Sequence, residues 1–236
     1  MKSVTNPLPA AILALLAVSC SIGPIDGELN LAFTIDRNQL LLDGVRIGGD
    51  PGRFVAATAF DQTLLDTSWA SRRSLSAGRS TVVVMSEKTT DRVDISLIDL
   101  SGEIDALIGR DLLGPVTIID YQNQLITRRN HVPEPLSTKP FRWKGKPAHP
   151  IVMNGKRTIG IIDTAIPDTI VVPKGLMEGR SCERCSADVE IAGVHFGDLP
   201  VTPADIDRIR IGNRVLRHFL VTIDYPRRTA SLTPVR

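Results

Sequence analysis

The chain carries almost no net charge. Among its 236 residues, 28 lysines and arginines are nearly balanced by 26 aspartates and glutamates. A surface without an excess of one sign does not attract nucleic acid or an anionic membrane over its whole extent. The adjacent arginines at Arg72-Arg73, Arg128-Arg129 and Arg227-Arg228 are local pairs, typical of solvated surface. We therefore expect no nucleic-acid partner.

Several short motifs of common enzymes are also absent. The sequence has no His-Glu-x-x-His run and no Gly-x-Ser-x-Gly elbow, which argues against a zincin-type metallopeptidase and against an α/β-hydrolase. A glycine-rich phosphate loop is missing too. The four histidines are scattered, which gives little support to a metal site that combines them with the few cysteines. The sequence predicts neither a metal nor an organic cofactor.

No apolar run is long enough to span a bilayer, which takes about 20 residues. The longest one near the N-terminus extends from Leu8 to Val18, after Lys2, and leads to Ala17-Val18-Ser19-Cys20. Small residues before a cysteine at this place resemble the lipobox of bacterial lipoproteins. Residues 1–20 are thus predicted to be a lipoprotein signal peptide, with Cys20 lipidated. An ordinary secretory signal is the alternative, and both place the mature chain outside the cytoplasm.

By analogy with other lipoproteins, Ser21 in place of an aspartate favours anchoring in the outer membrane, facing the periplasm. If Cys20 is acylated, Cys182 and Cys185 remain as an even pair, which suits an oxidising compartment. A structural disulfide between them is the favoured interpretation. Free thiols, a redox pair and a metal site stay open as alternatives.

The mature chain has the pattern of an all-β protein. Leu31, Phe33 and Ile35 alternate with small or polar residues, as in a half-buried strand. Asn154-Gly155 and Ala192-Gly193 each separate two apolar runs and predict hairpin turns. Helical patterning is sparse and brief, and the best candidates for short helical turns follow Gly109 and Gly212.

A proline-rich stretch divides the chain into two parts of similar length. Residues 130–140 contain three prolines and few apolar side chains, which is typical of a linker. We place an N-terminal lobe at 29–129 and a C-terminal lobe at 141–236.

The two lobes repeat the same short motifs in the same order. Leu64-Leu65-Asp66-Thr67-Ser68 recurs about 100 residues later as Ile161-Ile162-Asp163-Thr164-Ala165. Ile118-Ile119-Asp120-Tyr121 recurs as Val221-Thr222-Ile223-Asp224-Tyr225 at nearly the same offset. Two motifs with nearly one offset indicate an internal duplication of a domain of roughly 100 residues.

An aspartate after an apolar run in each copy suggests a specific chemistry. If the two carboxylates face each other, they cannot both ionise easily and share one proton. The ionised member can then activate a water, while the protonated member polarises a peptide carbonyl. Such a pair hydrolyses peptides without a metal.

At these motifs the chain resembles the aspartic peptidases, specifically the retropepsin-like group, whose signature is apolar-apolar-Asp-Thr/Ser-Gly with a downstream apolar-apolar-Gly. Leu107-Ile108-Gly109 and Ile211-Gly212 fit the downstream element. The resemblance implies two fused lobes in a pseudo-two-fold β structure, active as a monomer on peptide or protein substrates. It also implies the site residues. They are the catalytic Asp66 and Asp163, the cross-linking Thr67 and Thr164, and the loop-supporting Ser68, Ala165, Gly109 and Gly212.

The match departs from the family at the residue after each threonine, where Ser68 and Ala165 replace the usual glycine. The alternative to an endopeptidase is therefore a catalytically degenerate, lipid-anchored module that uses the same cleft to bind a peptide or to support assembly. Either hairpin, at 81–100 or at 189–201, could form a flap over that cleft.

Overall fold

The computed structural model describes residues 28–78, 80–86, 89–131, 141–142, 145–177 and 185–235. This part of the chain is mostly β-strand with a few short helices, so the all-β prediction is confirmed. The predicted signal peptide at 1–20, with Cys20, and nearly all of the predicted linker lie outside the described residues.

Strands of the N-terminal half come first along the chain. They are β1 (Leu29–Asp36), β2 (Gln39–Leu42), β3 (Arg46–Ile47), β4 (Asp50–Pro51), β5 (Phe54–Ala56), β6 (Leu64–Asp66), β7 (Ser80–Ser86), β8 (Thr89–Asp94), β9 (Ser96–Ile98), β10 (Ala106–Ile108), β11 (Val116–Asp120) and β12 (Leu125–Arg129). Two short helices interrupt them, α1 (Thr67–Ser71) and α2 (Arg110–Leu113).

The C-terminal half follows with its own strands. They are β13 (Phe141–Arg142), β14 (Ala148–Met153), β15 (Lys156–Ile162), β16 (Ile170–Pro173), β17 (Ser186–Ile191), β18 (Val194–Ala204), β19 (Ile209–Ile211), β20 (Phe219–Asp224) and β21 (Thr229–Pro234). A 3-10 helix covers Lys174–Met177, and α3 covers Asn213–Leu216. The short helices expected after Gly109 and Gly212 are thus confirmed.

The strands form three sheets. One sheet of eleven strands has the order β13-β21-β20-β11-β12-β1-β2-β5-β10-β6-β9 and draws on both halves. A closed barrel, β14-β15-β19-β16-β18-β17, contains only strands of the C-terminal half, and β4-β3-β7-β8 form a smaller sheet. Because β20 and β21 of the second half join the sheet of the first half, the two halves share a structural element.

Alternating side chains place the core as the sequence predicts, with one exception. Leu29, Leu31 and Phe33 of β1 are buried, and the residues between them are exposed. Ile35 was expected to continue this face but is 42% exposed, because β1 leaves the core where it turns into β2. The turn residues Arg37 and Asn38 have positive φ angles of 48° and 62°.

Both predicted hairpin turns are confirmed. Asn154 and Gly155, between β14 and β15, have φ angles of 50° and 74°. Ala192 and Gly193, between β17 and β18, have 48° and 79°. Two consecutive positive φ angles are what a two-residue turn needs to follow the twist of its strands.

The duplicated motif around Asp120 and Asp224 pairs with itself. Strands β11 and β20 run antiparallel, with Ile118 opposite Thr222. On either side of this central pair the contacts are reciprocal, since Val116 lies opposite Asp224 and Asp120 lies opposite Leu220. A local two-fold axis through the central pair produces such reciprocal contacts.

Candidate functional site

Asp66 begins a helix, and its carboxylate is hydrogen-bonded within its own half. It is the N-cap of α1, and its Oδ1 accepts hydrogen bonds from the Ser68 hydroxyl at 2.5 Å and the Trp69 amide at 2.9 Å. Its Oδ2 accepts one from the Leu100 amide at 3.0 Å. These bonds, the one from Ser68 foremost, lower the pKa of Asp66 to about 2. The carboxylate is 2% exposed and is used to hold its own half together.

The hydroxyl that meets Thr164 belongs to Thr58 and not to Thr67, so the predicted cross-link was assigned to the wrong threonine. Thr164 Oγ1 donates to the Ala56 carbonyl at 2.7 Å and accepts from the Thr58 amide at 3.1 Å. In return, Thr58 Oγ1 donates to the Ile162 carbonyl at 3.0 Å and accepts from the Thr164 amide at 3.3 Å. This reciprocal set joins the two halves. Thr67 and Ser68 are exposed in the first turn of α1.

Ala57 is the structural counterpart of Asp163. The Ala57 amide donates to the Ile108 carbonyl at 2.9 Å, and the Asp163 amide donates to the Ile211 carbonyl at 3.1 Å. Strand β5 runs parallel to β10 as β15 runs parallel to β19. Each residue precedes a threonine of the reciprocal set. The predicted equivalence of Asp66 with Asp163 is therefore wrong, because the N-terminal half has an alanine at that place.

A weaker signal in the sequence carried the correct alignment. Residues 57–63 and 163–169 align without a gap and share the residues Thr-Ala at their second and third positions and Thr at their last. The motif Leu-Leu-Asp-Thr at 64–67 contains an aspartate and therefore matches Ile-Ile-Asp-Thr at 161–164 more closely. Without the aspartate at position 57, nothing in that segment pointed to chemistry.

Gly109 and Gly212 do pack closely behind these loops, as predicted. A Cβ at Gly109 would lie 2.4 Å from the Gln62 carbonyl oxygen, and one at Gly212 would lie 2.3 Å from that of Asp168. Real Cβ atoms do not approach backbone this closely, so only glycine fits at both places. Gln62 and Asp168 occupy corresponding positions of the correct alignment.

Asp163 is neutralised by an arginine of its own half. Its Oδ2 accepts a hydrogen bond from Arg210 Nη1 at 2.7 Å, and its Oδ1 accepts one from the Ala165 amide at 3.1 Å. The Asp163 side chain is fully buried, whereas that of Arg210 is 29% exposed. This charge-assisted pair directs the carboxylate along its own half.

The other half has an apolar pair where this ion pair lies. Leu107 precedes Ile108 on β10 as Arg210 precedes Ile211 on β19. The charged pair Asp163 and Arg210 thus corresponds to Ala57 and Leu107. These two belong to a small cluster that is separate from the main core and that we call the central apolar cluster. Its buried members are Val55, Ala57, Ile104 and Leu107, with the half-buried Leu41, Phe60, Leu64, Leu100 and Ala165 packed against them.

Two buried tyrosines support the loops that carry Thr58 and Thr164. The Tyr225 hydroxyl donates to the Thr58 carbonyl at 3.0 Å. Asn213 Nδ2 donates to the Thr164 carbonyl at 2.7 Å, and the Tyr121 hydroxyl donates to Asn213 Oδ1 at 2.8 Å. Burial raises the pKa of both tyrosines, which keeps them protonated as donors. The repeated Asp-Tyr of the duplicated motif was the available signal for them.

The remaining predicted features fall partly outside the described residues. Cys185 is buried and disulfide-bonded, while Cys182 and Cys20 are not described. In the part of the chain that is described, no group of three or more histidine, cysteine or acidic residues could hold a metal ion. The same residues contain no helix long and apolar enough to cross a membrane.

Comparison with protein-family models gave no match, and comparison with curated proteins gave none either.

Proposed function

We propose that this chain is a peptide-binding module on a two-lobe scaffold like that of the aspartic peptidases, with a centre that does not hydrolyse its ligand. The observation that carries the proposal is the pair of residues at the centre. Hydrolysis by a carboxylate pair would require a second aspartate at the position that corresponds to Asp163, and that position is occupied by Ala57. Asp163 itself is bonded to Arg210.

The two-lobe part of the proposal has independent support. The reciprocal bonds of Thr58 and Thr164 and the self-pairing of β11 with β20 both have the symmetry of a pseudo-dimer. Gly109 and Gly212 pack against matching carbonyls behind the two loops. These features correspond to those expected from the resemblance, with Ala57-Thr58 in the place predicted for Asp66-Thr67.

The absence of hydrolysis follows from the groups that are present at the centre. A carboxylate pair works because one member is protonated and donates while the other is ionised and accepts a proton. Here Asp163 has a cation 2.7 Å away, is fully buried, and Ala57 supplies no acid. A peptide carbonyl at this place would meet a single carboxyl group, already bonded to Arg210, and no water held between two carboxylates.

A cleavage and binding assay on one substrate tests the proposal. The mature protein is incubated at pH 3 to 7 with a fluorescently labelled, unfolded protein of mixed sequence. We expect fluorescence anisotropy to report binding, and gels to show the labelled protein uncut. Cleavage that is lost in Asp163→Asn but retained in Asp66→Asn would instead show that the protein is a peptidase. If no binding is detected at any pH, the proposed peptide-binding function is wrong.

The proposal retains the lipid anchor indicated by residues 17–20 and the periplasm-facing, outer-membrane location indicated by Ser21. Labelling of cells with radioactive palmitate tests this part separately. The wild type should incorporate label and Cys20→Ala should not, while label in both would contradict lipidation at Cys20.

A further inference from the structure

Arg210 has more hydrogen-bonding capacity than its one carboxylate partner uses. Among the described residues, its only acceptor is Asp163, which one Nη1 proton reaches at 2.7 Å. The Nε–H group is buried and has no partner in that part of the chain. The guanidinium presents a rigid fork of donors, and a buried donor without an acceptor is costly. The side chain as a whole is nevertheless 29% exposed, so part of it is accessible to a ligand.

This cation lies next to the central apolar cluster through a short chain of contacts. Arg210 bonds Asp163, the Asp163 carboxylate accepts from the Ala165 amide, and Ala165 packs against the cluster. Phe60, Leu64 and Leu100 are half-buried members of the same cluster, so their remaining surface is open to a ligand. A hydrogen-bond donor and an apolar surface therefore adjoin at the meeting point of the two halves.

We propose that Arg210 is the recognition residue of the site and binds an oxygen acceptor of a peptide whose neighbouring apolar side chain packs on the central apolar cluster. The inference rests on the function proposed above and names its ligand chemistry. Because Asp163 already balances the charge of Arg210, the acceptor need not be anionic. It can be a backbone carbonyl or a terminal carboxylate, and both offer the same lone pairs to the fork.

Nuclear magnetic resonance on labelled mature protein tests this directly. The probes are acetyl-Leu-Leu with a free carboxylate and acetyl-Leu-Leu-amide, which distinguish the two sources of the oxygen. We expect the Arg210 Nε–H signal and the amides of Phe60, Leu64 and Ala165 to shift together and to saturate. A stronger response to the free acid assigns the carboxylate, and equal responses assign the carbonyl.

Variants separate recognition from mere folding. Arg210→Lys keeps the positive charge near Asp163 but removes the fork, and we expect affinity for either probe to fall about fivefold or more. Leu64→Ala should weaken binding while leaving the Asp163 ion pair intact. The matched control is Arg208→Gln, which removes an exposed arginine two positions earlier on the chain and should leave affinity unchanged.

The outcomes distinguish this inference from the function on which it rests. Binding with shifts confined to other residues, or unchanged affinity in Arg210→Lys, would overturn the role of Arg210 and leave a peptide-binding module. Saturation by neither probe would also overturn it. Accumulation of acetyl-leucine, with leucine from the free acid or leucinamide from the amide, would show hydrolysis of the peptide bond and would overturn the proposed function itself.

Discussion

The ion pair of Asp163 and Arg210 can be tested by replacing each residue with its counterpart in the N-terminal half and measuring the stability of the variants. Replacing Arg210 by leucine copies Leu107 of the N-terminal half but leaves Asp163 as a buried charge without a cation. Breaking a buried pair by removing one partner costs about 3–5 kcal/mol. Because the Asp163 side chain is 0% exposed, water cannot replace the lost partner. We therefore expect Arg210→Leu to lower the free energy of unfolding by about 3–5 kcal/mol.

The other changes should cost less. Asp163→Ala leaves an arginine that is 29% exposed and can turn to water, so a loss of about 1–3 kcal/mol is expected. The double variant reproduces the Ala57 and Leu107 arrangement of the other half. Since it has no unpaired buried charge, it should lie within about 2 kcal/mol of the wild type. The second substitution thus restores most of what Arg210→Leu removes.

Urea unfolding at pH 7, followed by circular dichroism, measures all four proteins. The coupling energy is the difference between the double variant and the sum of the singles. We predict a favourable coupling of at least about 2 kcal/mol. Additive losses, with the double variant the least stable of the four proteins, would refute the reasoning that the apolar pair Ala57 and Leu107 can replace the ion pair of Asp163 and Arg210.

Two further predictions concern the corrected residues. Thr164→Val should lower the free energy of unfolding by about 2–3 kcal/mol, because the buried Thr58 amide and Ala56 carbonyl both lose their hydrogen-bond partner. Thr67 is exposed on a helix, so the control Thr67→Val should lower it by less than about 0.5 kcal/mol. Similar losses in both denaturation curves would argue against the assigned cross-link. Asp66→Asn should cost about 2 kcal/mol at pH 7, since hydrogen bonds lower the pKa of Asp66 to about 2. That contribution is present above the unfolded pKa of about 4 and is lost as the pH falls through 2, so the two proteins should converge in acid. A difference that persists or grows on acidification would contradict the assigned hydrogen bonds.

Local features were predictable because they depend on local chemistry. The Asn154-Gly155 turn needs positive φ angles that asparagine and glycine supply, whatever the surrounding fold. The close approach behind Gly109 and Gly212 excludes a side chain, so the glycine itself marks the place. The alternation in β1 likewise predicts a half-buried strand, and fails only at Ile35, where the chain turns.

The centre was not predictable by the same means. Position 57 matters because it has an alanine where a catalytic pair would have an aspartate. An alanine within an apolar segment does not indicate from the sequence that an aspartate is missing. An aspartate directly behind an apolar strand suits a helix N-cap as well as a catalytic carboxylate, so the local sequence around Asp66 does not distinguish the two roles. Only the pairing of Thr58 with Thr164 separates the two roles.

The geometry at that pairing is the claim on which the rest of the account depends. Thr58 Oγ1 and Thr164 Oγ1 lie 3.4 Å apart, so we expect the sulfur atoms of cysteines at these two positions to come close to each other. We predict that Thr58→Cys/Thr164→Cys forms a disulfide under mild oxidation, identified by mass spectrometry of the digested protein, while Thr67→Cys/Thr164→Cys does not. A cross-link through position 67, with none through position 58, would contradict the account and return Asp66 to the place opposite Asp163.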